Sequence, residues 1–211
     1  MCGKIINMKK DRLGFDIQIM GMIASGKDTQ AKILKDKYNL EEVGTGNYTR
    51  KLLKEKSENG DIARKYSSKG NPLPVFLMKE FLKNKIFKRP KNKDLIFIGG
   101  PRLKPEAQLV NKLLKENKQK LFVVYISLPD KEVYKRSLSR KNSNIEDIYK
   151  VFDTKEIIKR RISWHKDQVG KTVKYFESLG VIKKVNGNQP VEKVHEDIEK
   201  AILYFKKINN I

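Results

Sequence analysis

The stretch Gly21-Met-Ile-Ala-Ser-Gly-Lys-Asp-Thr-Gln30 places a glycine-lysine pair where an apolar run gives way to a helical pattern. Upstream, Phe15, Ile17, Ile19 and Met20 are apolar enough for a core strand, and downstream Ala31, Leu34 and Tyr38 recur at helical spacing. A strand, a glycine-bounded loop and an amphipathic helix therefore follow in order. In such a loop the backbone N–H groups and the positive end of the helix dipole aim at one spot, so an anionic polyphosphate can replace water there. Lys27 adds a mobile positive charge for the outer phosphates. The spacing Gly21-x4-Gly26-Lys27 fits the phosphate-loop pattern, with Asp28 in the slot where many such loops carry a Mg²⁺-binding Ser or Thr and Thr29 one place later. The competing reading is an ordinary glycine-rich turn at a helix start, which leaves the shared register of strand, helix and lysine unexplained.

Working outward, 211 residues suffice for one sizeable core, and a single domain over 1–211 with mobile excursions is expected. There is no run of about eighteen apolar residues and no signal-peptide pattern, so no membrane partner is expected and a cytoplasmic location is. Cys2 is the sole cysteine, which excludes an internal disulfide or a cysteine metal cluster; its place near the terminus argues against catalysis. The formal charge is +22, from 47 Lys and Arg against 25 Asp and Glu. Such a balance attracts phosphate-rich partners of any kind. The basic residues are spread along the chain, however, and neither zinc-finger spacing nor an aromatic RNA-binding signature accompanies them. Nucleic acid is therefore not the expected partner.

Strand-like runs at Phe15–Met20, Leu95–Ile98, Leu121–Ile126 and Val181–Val185, with a shorter one near Val43, alternate with helical patterns. Those patterns cover Val75–Phe87, Pro105–Glu116, Glu156–Leu179 and a last helix through Val191, Val194, Ile198, Ile202 and Phe205. Alternation predicts a layered α/β protein whose mostly parallel strands carry ligands at their carboxyl ends. Lys141–Asn144 reads as a short exposed loop. Three further constellations follow the loop: Gly44-Thr-Gly-Asn-Tyr-Thr-Arg50, Gly99-Gly-Pro-Arg102, and Arg136-Ser-Leu-Ser-Arg140, whose arginines share one helix face. Lys159, Arg160 and Arg161 lie on a later helix. His165 and His195 read as helix-surface or packing residues, since nothing asks for a general base or a histidine ligand.

In this order, these segments resemble the adenylate kinase family of nucleoside monophosphate kinases, from about Phe15 to Phe205. The family's Gly-Lys-Gly-Thr-Gln is similar to Gly26-Lys27-Asp28-Thr29-Gln30, and its Ser-Thr-Gly-Asp-x-x-Arg resembles Gly44-Thr45-Gly46-Asn47 ending in Arg50. Its Asp-Gly-Phe-Pro-Arg is matched at Gly99, Pro101 and Arg102, and Arg136 and Arg140 fall where the family grips phosphate. Val185-Asn-Gly-Asn-Gln-Pro190 resembles the segment near the ATP adenine, and Arg161 lies at a family catalytic arginine.

The resemblance implies a three-layer P-loop NTPase fold with a five-stranded sheet, a helical monophosphate-binding insertion at about 44–75 and a very short lid at about 141–149. The remaining core is about 1–43, 76–140 and 150–211. It implies phosphoryl transfer from ATP, accompanied by Mg²⁺, to a nucleoside monophosphate by a monomer. Catalysis would fall to Lys27, Arg102, Arg136, Arg140 and Arg161. ATP would be held by Gly21, Ser25, Gly26, Lys27, Asp28, Thr29, Arg136, Gln189 and Pro190. The monophosphate would meet Thr45, Gly46, Arg50, Gly99, Arg102, Glu106, Lys150 and Arg161. The reaction needs no side-chain nucleophile; it needs two anions in line, water excluded and developing charge compensated.

Three positions depart from the family. Ile98 stands where it has the aspartate that holds the magnesium waters, Asn47 where it has the aspartate of the monophosphate turn, and Glu106 where a glutamine reads the adenine edge. Asp28 is the candidate to take over part of the magnesium role. An AMP kinase leads. A kinase for GMP or a pyrimidine monophosphate, a nucleotide-binding regulator with a degraded magnesium site, a GTPase-like switch and a basic nucleic-acid binder remain as alternatives. Asn92-Lys93-Asp94 carries its aspartate too early for the guanine motif of such switches.

Overall fold

Alternation along the apolar runs decides which side of the sheet each residue faces. In the computed structural model, which describes residues 11–67, 73–142 and 154–211, β1 (Asp16–Gly21), β2 (Leu40–Gly44), β3 (Asp94–Ile98), β4 (Leu121–Ser127) and β5 (Ile182–Asn186) form one sheet in the order β2-β3-β1-β4-β5. All four strand pairings are parallel, Ile17 standing beside Ile96 on one side and Phe122 on the other. Because a parallel sheet is covered on both faces, its central strands are apolar nearly throughout.

The helices in chain order are α1 (Lys27–Lys37), α2 (Thr45–Lys54), α3 (Glu58–Ser67), α4 (Val75–Phe87), α5 (Lys104–Glu116), α6 (Asp130–Asn142), α7 (Lys155–Trp164), α8 (Gly170–Ser178) and α9 (Val191–Asn209). Ile17 and Ile19 of β1, Ile96 of β3 and Phe122, Val124 and Ile126 of β4 pack with Ala31 and Leu34 of α1 and Ile198, Ile202 and Phe205 of α9. Their neighbours Leu95, Phe97, Leu121 and Val123 face the opposite layer, with Leu82 of α4, Val110 of α5 and Phe176 of α8. The period-two switch between layers is the strand geometry made visible.

Two expectations need correction. The pattern Glu156–Leu179 is not one regular helix: α7 and α8 are joined by a π-helical turn over His165–Val169, in which the Gly170 N–H reaches back to the His165 carbonyl. The apolar spacing carries no trace of that extra residue per turn. Lys141 and Asn142, assigned above to an exposed loop, continue α6; a lysine and an asparagine are polar but neither stops a helix as Gly or Pro does. The remainder of that loop and of the lid, Lys150 and Cys2 lie outside the described residues.

The amino ends of β1 and β3 carry two fully buried carboxylates. Asp94 accepts from Arg12 Nη2 at 2.5 Å and from the Gly14 N–H at 3.0 Å. Asp16 accepts from Arg89 Nη1 and from the Leu95 N–H, both at 2.7 Å, which ties the end of α4 to two strands. Burial pushes the Asp16 carboxyl up from its ordinary value, and the Arg89 guanidinium and the Leu95 N–H pull it part of the way back. Breaking a buried pair strands the remaining charge. Asp16→Asn keeps an acceptor for Leu95 but leaves Arg89, whose side chain is 9% exposed, without its counter-charge. The expected loss in urea unfolding is about 3–5 kcal/mol. The double change Asp16→Asn with Arg89→Met should lose less than the sum of the two single changes; strict additivity would mean that the charges do not interact.

Candidate active site

The loop between β1 and α1 turns back on itself at close range. A methyl group on Gly21 would sit 2.4 Å from Ser25 Oγ and 2.8 Å from the Ile126 carbonyl oxygen, so no side chain fits there. Ala24 and Gly26 have left-handed backbones, and Gly26 caps α1 with no side-chain bond. This kind of turn gathers N–H groups into an anion-binding concavity. Ser25 is buried, and its Oγ has no hydrogen-bond partner among the described residues. Lys27 opens α1, its side chain 14% exposed and its Nζ 3.0 Å from Asp28 Oδ2. Asp28 and Thr29 stand exposed in the first turn of the helix.

The turn after β3 is held from three directions. Gln18 Nε2 donates to the Pro101 carbonyl at 3.0 Å, and Thr172 Oγ1 of α8 donates to the Arg102 carbonyl at 2.7 Å. From α5, Glu106 Oε2 accepts from the backbone N–H groups of Arg102 at 2.9 Å and Leu103 at 3.3 Å. Glu106 thus closes a capping arrangement at the start of α5. Burial pushes its carboxyl up from the ordinary value; the two N–H groups and the Arg102 charge oppose that. The Arg102 side chain turns back onto the Gly99 carbonyl through Nε.

The expected site residues fall into three groups. Gly21, Lys27, Gly99, Arg102 and Arg161 line one narrow cleft at the carboxyl ends of β1 and β3. Thr45 approaches the same turn at the start of α2, so near that a methyl on Gly100 would meet its Oγ1 at 2.6 Å. On that helix Gly46 follows Thr45, and Arg50 donates through Nη2 to Asn47 Oδ1. Asn47 Nδ2 in turn donates to Glu42 Oε1 at 3.1 Å. On the other flank Arg136 of α6 bonds Glu132 Oε1 at 2.8 Å and reaches the Gly187 carbonyl at 3.2 Å. It therefore meets the segment that contains Gln189, which donates to Asp197 at 2.7 Å, and Pro190, the N-cap of α9. Arg140 lies four residues along α6 from Arg136.

His165 belongs to the cleft and not to the helix surface. Its ring lines the same space as Lys27, Arg102 and Arg161, beside Trp164, and its Nε2 is 3.1 Å from the Tyr125 hydroxyl. Burial, then the positive charges of Arg102 and Lys27, lower its pKa to about 4. At neutral pH it is an uncharged ring among cations, able to hydrogen-bond without adding to their repulsion. The available signal was its spacing, four residues after Arg161, and the π turn that begins at His165 is of a kind common at functional sites. Among the described residues no group of three or more His, Cys, Asp or Glu side chains is placed to hold a metal.

The chain matches the family model described as adenylate kinase over residues 19–181. It is similar to the adenylate kinase of Azobacteroides pseudotrichonymphae, 36% identical over 138 residues, which are 62% of this chain and 72% of that protein. The adenylate kinase of Methanothrix thermoacetophila is 33% identical over 127 residues, 60% of this chain and 59% of that protein. For Parabacteroides distasonis the figures are 32% over 126 residues, 59% of this chain and 66% of its adenylate kinase. The matched region contains the loop at Gly21–Lys27, the turn at Gly99–Arg102 and Arg161, so the cleft described above lies wholly inside it. On this match and this cleft, the chain belongs to the adenylate kinase family.

Proposed function

We propose that the chain transfers a phosphoryl group reversibly from ATP to a nucleoside monophosphate, with AMP as the leading acceptor. The observation that carries this reading is the convergence of Lys27, Arg102 and Arg161 on one cleft beside a loop whose Gly21 leaves no room for a side chain. ATP would lie with its phosphates on the loop between β1 and α1, and the monophosphate between Thr45, Arg50 and the Gly99–Arg102 turn. The cations then face the bridging and transferred oxygens from opposite sides, where charge grows in the transition state. Arginine suits this because its planar fork takes two phosphate oxygens at once and stays protonated. Arg50 is held by Asn47 and Arg102 by the Gly99 carbonyl. Both would exchange these neutral partners for phosphate.

Magnesium would enter with the nucleotide. Such an ion keeps several waters and takes one or two carboxylates with the phosphates, and Asp28, with its side chain 73% exposed next to Lys27, fits that role. When bound, the ion would offset phosphate charge and orient the triphosphate. Ile98, at the end of β3, offers it nothing.

Replacing Lys27 by Met should leave folding intact and cost about 3 kcal/mol of transition-state stabilisation, roughly a hundredfold in kcat/KM. A diphosphate-formation assay retaining activity within about threefold would remove the loop lysine from the chemistry. Asp28→Asn should weaken the magnesium dependence of both ATP affinity and turnover while the unfolding midpoint holds. Unchanged magnesium titrations by both measures would exclude Asp28.

The acceptor base depends on Glu106. A glutamine there keeps an acceptor for the Arg102 and Leu103 N–H groups but replaces the second acceptor with a donor. AMP presents one donor and one acceptor on the edge concerned, whereas GMP presents two donors. Glu106→Gln should therefore move the ratio of AMP to GMP kcat/KM toward AMP by roughly tenfold or more, with little change in thermal midpoint. An untouched ratio would confine Glu106 to capping α5.

A further inference from the structure

At the sheet edge opposite β2 lies a second groove, which shares no lining residue with the cleft of Lys27, Arg102 and Arg161. Among the described residues β5 is the outermost strand there, with no strand beside one of its edges. Against α9 it leaves a cavity of about 430 Å³, within the range of small-molecule sites, about 300–1,000 Å³. The buried side chains of Phe122, Val185, Ala201 and Phe205 make its floor, and the exposed Tyr204 and Ile208 make its outer wall.

The rim carries the opposite character. Strand alternation puts Lys183 on the same side of β5 as Val185, the side that α9 covers. Lys200 precedes Tyr204 by one turn of α9. Among the described residues neither lysine has an ion-pair or hydrogen-bond partner. The other charges at the groove are already matched: Lys184 meets Glu177 at 2.7 Å, and Asp197 accepts from Gln189 at 2.7 Å and lies 4.0 Å from Lys193. The groove thus pairs an apolar trough with two unmatched positive charges. Lysines on the edge strand also disfavour an added β-strand there.

We propose that this groove binds a single-chain anionic amphiphile, a carboxylate on an unbranched hydrocarbon chain. The hydrocarbon lies over Phe122, Ala201 and Phe205, and the carboxylate meets Lys183 and Lys200. A free molecule is the occupant, since the floor residues Phe122, Ala201 and Phe205 are buried beneath the surface while only Tyr204 and Ile208 stand exposed.

Laurate, kept below its micelle-forming concentration, is titrated into the full chain by calorimetry, beside dodecyltrimethylammonium, acetate and phosphatidylserine vesicles. Laurate should bind saturably at one site, while the cationic chain and the chainless carboxylate should not. The double change Lys183→Glu with Lys200→Glu should weaken laurate at least about tenfold, and Tyr204→Glu should weaken it as well, with ATP affinity and the unfolding midpoint preserved in both. The proposal is overturned by absent laurate binding, by equal binding of dodecyltrimethylammonium, by affinity in the double variant within about twofold of the parent, or by association with vesicles alone.

Discussion

Holding a polyanion against backbone amides requires the chain to approach itself more closely than side chains allow, and the architecture follows from meeting that requirement. Gly21 has the Ser25 hydroxyl and the Ile126 carbonyl where its Cβ would be, and Gly100 has Thr45 there. Both of these contacts lie at the carboxyl ends of the strands. A parallel sheet puts all its carboxyl ends along one edge, and right-handed crossovers bring each helix start back to that edge. The loop after β1 and the turn after β3 are thereby neighbours although about eighty residues separate them in sequence, as the Gln18–Pro101 bond spans 83.

That same convergence explains what could be read from the chain alone. β1, β3 and β4 announce themselves as apolar runs because both faces are covered, and their bounds shift by no more than a residue from the expected ones. Helices α4 and α5 carry apolar positions at helical spacing and start where expected, to within a residue. What stayed hidden was local backbone winding and the direction of single side chains. The π turn at His165 conserves the apolar pattern on either side while adding one residue to a turn, so periodicity reads straight through it. Its result, a neutral histidine inside the cation cluster, is a tertiary fact about Tyr125, Arg102 and Lys27.

Glu106 shows why a motif match does not by itself give a side chain its role. One carboxylate oxygen is engaged by two backbone N–H groups at the start of α5, in a position where burial without those bonds would be costly. A glutamine oxygen could take the same bonds, so the capping geometry tolerates either residue. The chemical difference between them is concentrated on the second head atom. Helix capping thus occupies one oxygen of the Glu106 head group and leaves the other head atom as the place where glutamate and glutamine differ, and the sequence names only the side chain.

Lys27, Arg102 and Arg161 face one space in a chain whose formal charge is +22, and bringing like charges together costs stability in proportion to how well water is excluded. Three features of the cleft reduce that cost. Asp28 pairs with Lys27, and the Gly99 carbonyl accepts from Arg102. His165, kept uncharged, fills the wall without adding a fourth cation. On the proposed function, nucleotide phosphates in this cleft would replace these small compensations with several negative charges at once, and the repulsion among the cations would become affinity for the ligand. By linkage, a ligand that binds only the folded state stabilises it by an amount that rises with the logarithm of the ligand concentration over its dissociation constant. The cleft thus gathers several cations, of which Lys27 is met by a single carboxylate and Arg102 by a neutral carbonyl, and the repulsion among them is electrostatic.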